Sequence, residues 1–147
     1  MRRLLLSACL LALGGLGTMG LPPALAQEDV VAQRKQLMKN IGSHMEAIKA
    51  VVDASGPSGS IAPRAEEIHR SFANLPALFP PGTTENTKAR PEVWSERAGF
   101  ERAAANASQA AATLASTAAS GDGAATASAF REMGGACGAC HRNYRAR

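Results

Sequence analysis

Apolar side chains recur every three to four residues over most of the chain, and that rhythm predicts helices from about residue 29 to the end. Val30, Val31, Leu37, Met38, Ile41, Met45, Ile48 and Val52 form the first such face, interrupted by Arg34. Asp29 stands where an N-cap belongs, and Ser55-Gly56-Pro57-Ser58-Gly59 ends the helix near Ser55. A second helix begins around Pro63, with Ala65, Ile68, Phe72 and Leu75 facing inward. The run from Leu75-Pro76 to Pro80-Pro81-Gly82 breaks it, and a polar loop continues to Arg90. Pro91 suits the first turn of a third helix, which carries Val93, Trp94, Phe100, Ala104, Ala107, Ala111 and Leu114 and stops near Gly121-Asp122-Gly123. The fourth runs from about Ala124 to Tyr144. No segment alternates as a strand does. The expected fold is all-α, an antiparallel four-helix bundle. The alanine-rich stretch 103–119 fits a helix, because alanine is the best helix former and its small side chain lets neighbours approach closely or leaves room for a flat group.

Charge and composition narrow the setting. Met1-Arg2-Arg3, the apolar run Leu4–Leu16 and the small-x-small site Ala24-Leu25-Ala26 predict an export signal cleaved after Ala26. Residues 27–147 are then a single domain, placed by export in the periplasm. Losing Arg2 and Arg3 lowers the formal net charge from +4 to +2. No basic stripe interleaved with aromatics points to nucleic acid, and no apolar run beyond the leader is long enough to span a membrane. Cys9 leaves with the leader, so Cys137 and Cys140 are the only thiols kept. Aromatic residues make up only 4% of the chain, which leaves a bundle of this size short of large apolar bodies.

Cys137-Gly138-Ala139-Cys140-His141 is a C-x-x-C-H run, the attachment pattern of haem c. Two thiols one helical turn apart can each bond a vinyl group, and the adjacent histidine becomes an axial iron ligand. Zinc would need a second ligand pair that the chain lacks, and a thioredoxin-like pair would need a strand–helix context. A structural disulfide between Cys137 and Cys140 in a haem-free helical protein stays open as an alternative. Few residues follow His141, so a ligand for the other side of the iron must come from upstream. Met38, Met45, His44 and His69 are candidates, whereas Met133 sits on the histidine's own helix and cannot reach across. His44 reads as a surface histidine, and His69 as solvated or hydrogen-bonded.

The order of features resembles the class II cytochromes c, the cytochrome c′ and cytochrome c-556 family. The stretches that carry the resemblance are Arg34 to Lys39, Leu75 to Pro80, Arg90 to Ser95 and Cys137 to Arg145. The resemblance implies one covalent haem c held through Cys137 and Cys140 on the C-terminal helix, with His141 as proximal iron ligand. It implies Met38 as the distal ligand, because the low-spin c-556 branch has methionine where the high-spin branch usually has an apolar residue. Arg34, Arg145 and Trp94 match positions near the haem. The function expected from this is a one-electron carrier with six-coordinate His/Met haem, no catalytic turnover, unidentified redox protein partners and a monomeric or homodimeric state. The alternative is a five-coordinate cytochrome c′-like protein that binds nitric oxide or carbon monoxide.

Overall fold

The computed structural model describes residues 23–147, with side chains described from residue 29 onward. Residues 1–22 of the expected leader lie outside the described residues. The helices are α1 (Pro23–Asp53), α2 (Ala62–Ala73), the single turn α3 (Glu92–Ser95), α4 (Arg97–Ala119) and α5 (Gly123–Tyr144). Among the described residues there is no strand, only an isolated bridge between Ala89 and Arg145. The four long helices form a four-helix bundle.

The predicted faces turn inward. Ile41 and Ile48 of α1, Ala65, Ile68 and Phe72 of α2, and Ala104, Ala107, Ala111 and Leu114 of α4 are buried in one core. Alanines on α4 keep its surface flat, and α4 packs closely on both α2 and α5, whereas α1 meets α5 only sparsely. Leu37, Met38 and Met45 on α1 and Ala136, Cys137 and Cys140 on α5 are only partly buried against this core.

Three boundaries differ from the expected ones. Asp29 is not a cap: α1 already begins at Pro23, and the Asp29 carboxylate accepts instead from Gln33 Nε2 at 3.0 Å. The expected third helix is broken at Glu96, whose backbone leaves the helical region (φ −116°, ψ 43°). The break lets Arg97 donate to the Phe79 and Pro76 carbonyls at 2.9 and 2.7 Å, fixing the incoming loop to the start of α4. Asp122, placed in the stop signal of one helix, also caps the next, its side chain accepting from Ala125 N–H at 2.9 Å. Gly121 with φ +85° makes the reversal between α4 and α5 possible.

Gly99 is required for a different reason. A Cβ there would lie 2.6 Å from the Tyr144 hydroxyl, so α4 and the end of α5 approach as closely as they do because residue 99 has no side chain. Gly99→Ala forces the Tyr144 ring to shift and is expected to cost about 1–3 kcal/mol, read as a lowered thermal midpoint of the haem-loaded protein. An unchanged midpoint would show that Tyr144 moves freely.

Candidate haem site

The thiols stand on the last turns of α5, spaced so that helical geometry puts them on one side, half-buried. Both are free. Burial raises the Cys137 pKa, countered in part by a backbone hydrogen bond, and burial followed by the neighbouring Cys137 raises that of Cys140. Near neutral pH both are thiols and not thiolates. His141 follows on the exposed side of the same turn. Partial burial of its ring, and then the charge of Arg145, hold its pKa below the ordinary histidine value. The ring is therefore neutral near pH 7, the form in which a nitrogen lone pair is available to a metal. Among the described residues no cluster of three or more histidine, cysteine or acidic side chains could hold a metal ion, which leaves no zinc-type set.

Arg34 sits on the inner face of α1 and is 4% exposed, far below what a guanidinium normally tolerates. Nη2 donates to the Thr83 carbonyl at 3.0 Å, and the guanidinium lies over the Phe79 ring at 4.5 Å. Nε and Nη1 are buried with no acceptor. Burial lowers the Arg34 pKa, but an arginine stays charged at any physiological pH, so these two N–H groups call for an anion.

An aromatic chain joins Arg34 to α5. Phe79 contacts Trp94 (centroids 6.5 Å apart) and Phe100 (4.9 Å), and Phe100 meets Tyr144 at 5.4 Å, edge to face. Trp94 is half-buried and donates from Nε1 to the Pro80 carbonyl at 3.0 Å. It lines a groove of about 740 Å³ together with Pro76, Pro80, Pro91 and Arg97, and none of Cys137, Cys140, His141 or Met38 borders that groove. Trp94 thus buttresses the loop that holds Arg34. Met38 lies one turn after Arg34 on α1, half-buried. His69 is hydrogen-bonded, its Nδ1 3.0 Å from Ser108 Oγ, and is no ligand candidate. His44 is half-buried, and its Nδ1 is enclosed without a partner. The sequence reading missed Phe79, Thr83, Arg97 and Tyr144. The Pro-Pro-Gly run beside Phe79 was the one local sign of a rigid loop.

Known proteins resemble this chain over most of its length. The family described as Cytochrome C′ matches residues 29–145. A cytochrome c′ from Pararhodospirillum photometricum is 38% identical over 80% of this chain and 97% of its own length. A cytochrome c-556 from Agrobacterium tumefaciens is 34% identical over 78% of this chain and 95% of its own. A nitric oxide complex of a cytochrome c′ variant from Alcaligenes xylosoxidans superposes with a TM-score of 0.75 at 32% identity, covering 82% of this chain and 96% of that one.

The cofactor of such proteins is covalent haem c, and the residues present fit it. Cys137 and Cys140 would supply the two thiols and His141 the neutral imidazole. The orphaned Nε and Nη1 of Arg34 match a carboxylate such as a haem propionate. Helices α1 and α5 meet sparsely, and each carries partly buried apolar side chains that could pack on a flat ring.

Proposed function

We propose that this chain, which belongs to the cytochrome c′ family, is a periplasmic haem c protein that takes up a small diatomic gas at a five-coordinate iron. Bound haem would supply an iron centre able to change oxidation state by one electron and to bind nitric oxide or carbon monoxide. Cys137 and Cys140 would hold the ring covalently to α5. His141 would bind the iron as a neutral imidazole, kept unprotonated by the partial burial of its ring and then by the charge of Arg145. Arg34 would bind a propionate, and Phe79 and Trp94 would hold Arg34 and its loop in place. No side chain is assigned a catalytic turnover.

The observation that carries this reading is the likeness to a cytochrome c′ solved with nitric oxide, at 32% identity over nearly its whole length. The physical setting of Met38 supports it. This methionine is unbranched, half-buried and carried on the helix that meets α5 sparsely. Fixing its rotamers over the iron would cost entropy that a half-buried position offsets only in part. Met38 would then shield the distal face without bonding to it.

The second reading, a six-coordinate His/Met electron carrier, is favoured by the methionine itself and by the likeness to cytochrome c-556. Met38→Ala separates the two. On the gas-binding reading the variant keeps the wild-type spin state and binds carbon monoxide about tenfold more tightly, the relief of a steric term of ~1–2 kcal/mol. Conversion of a low-spin spectrum to a high-spin one by this substitution would establish the carrier.

A further inference from the structure

The end of α5 is tied to the loop before α3 by a short clasp. Arg90 N–H donates to the Tyr144 carbonyl at 3.0 Å, and Ala146 N–H donates to the Lys88 carbonyl at 2.8 Å. The side chain of Arg90 reaches the Arg142 carbonyl at 3.3 Å. Together these bonds gather Lys88, Arg90, Arg142 and Arg145 beside His141, and Lys88, Arg142 and Arg145 are exposed. Arg90 is paired with Glu92 at 2.6 Å. Lys88, Arg142 and Arg145 have no ion-pair partner among the described residues. Elsewhere some cations are paired and others, among them Lys35, Lys39, Arg64, Arg102 and Arg131, are not; what sets this end apart is that its unpaired cations come from two distant segments joined by backbone bonds. Lys49 pairs with Asp53, Arg70 with Glu66 and Glu67, and Arg97 with Glu101, each within about one helical turn. Three of the four cations gathered at this end are therefore without an ion pair, in a chain of formal net charge +4. Gathering like charges costs self-repulsion, and nothing in the packing of the bundle requires it.

We propose that this cationic rim is the docking face for an acidic one-electron redox protein, which meets the molecule at the end of α5 beside His141. Long, exposed and unpaired side chains steer an oppositely charged partner and release it again, as a brief encounter needs. The rim borders the exposed edge of the residue assigned to the iron, which shortens the path for an electron. Such a partner would give up one electron to a bound haem iron, reducing iron(III) to iron(II) with no proton moved. The inference rests on haem attachment and not on the spin state, and it adds a source of the ferrous iron that carbon monoxide requires.

The test uses the haem-loaded protein and two small oxidants of opposite charge. Oxidation of the reduced protein by hexacyanoferrate(III) is expected to slow about tenfold between low and physiological salt, whereas oxidation by the cationic tris(phenanthroline)cobalt(III) speeds up. Lys88→Glu/Arg142→Glu abolishes or reverses both trends, and Lys35→Glu/Lys39→Glu on α1 leaves them in place. The carbon monoxide spectrum of the Lys88/Arg142 variant stays that of the wild type, so the change reports the surface and not the proposed gas site. Poly-L-glutamate is expected to shift backbone amide resonances of residues 88–90 and 142–146. Equal salt dependence in wild type and the Lys88/Arg142 variant, or a larger effect from the Lys35/Lys39 pair, overturns the proposal. So does binding to phosphatidylglycerol vesicles without binding to poly-L-glutamate, which would make the rim a membrane contact.

Discussion

Replacing Cys137 and Cys140 together by serine is expected to leave a chain from which all haem is extracted by acidified acetone, and which gives no haem stain after a denaturing gel. Each thioether needs a sulfur, and serine offers none under the same conditions. The two positions are one turn apart on α5, both half-buried and both protonated near neutral pH, so neither has the thiolate character of a redox-active pair. Either single substitution keeps one link, so the stain survives. His141→Ala should behave differently: covalent colour remains, but the iron loses its imidazole and the spectrum changes. Haem staining of the double serine variant would mean that attachment lies elsewhere, and the site described above would be wrong.

Arg34→Leu is expected to cost the haem-loaded protein far more than the haem-free one. With haem bound, the substitution removes the cation facing a propionate and leaves that carboxylate partly buried and unpaired, a loss of about 3–5 kcal/mol. Without haem, Arg34 holds Nε and Nη1 in a buried setting with no acceptor, and leucine relieves that desolvation. The bond to the Thr83 carbonyl and the contact with Phe79 are lost in exchange, so the haem-free stability changes by only about 1 kcal/mol in either direction. Thermal melts of the wild type and variant, in the haem-loaded protein and in the double-serine background after haem extraction, give all four values. An equal loss in both backgrounds would make Arg34 a structural cation with no role toward the cofactor.

Local chemistry was legible wherever one stretch of chain determined it. The spacing of Ile41 and Ile48, or of Ala104, Ala107 and Ala111, shows the buried side of a helix, because helical period and burial coincide there. The C-x-x-C-H run shows its cofactor for the same reason: covalent geometry fixes the spacing. Features that join distant segments left no comparable trace. Glu96 breaks its helix where Arg97 bonds the carbonyls of Pro76 and Phe79, about twenty positions earlier. Arg34 reads as an interruption in an apolar face, and its meaning depends on Thr83 and Phe79, which no periodicity links to it. The clasp of Lys88–Arg90 with Tyr144–Ala146 has no strand pattern on either side, only backbone groups brought together by the bundle. Met38 was placed by resemblance at the distal position, but which branch of the family it follows depends on how firmly α1 holds it.

The most direct measurement is the absorption spectrum of the reduced haem protein before and after carbon monoxide. The account predicts a broad high-spin spectrum that carbon monoxide converts at once to a low-spin one, at a rate proportional to gas concentration. A sharp low-spin α band before any gas is added, with uptake limited by a concentration-independent step, would put the Met38 sulfur on the iron and contradict it.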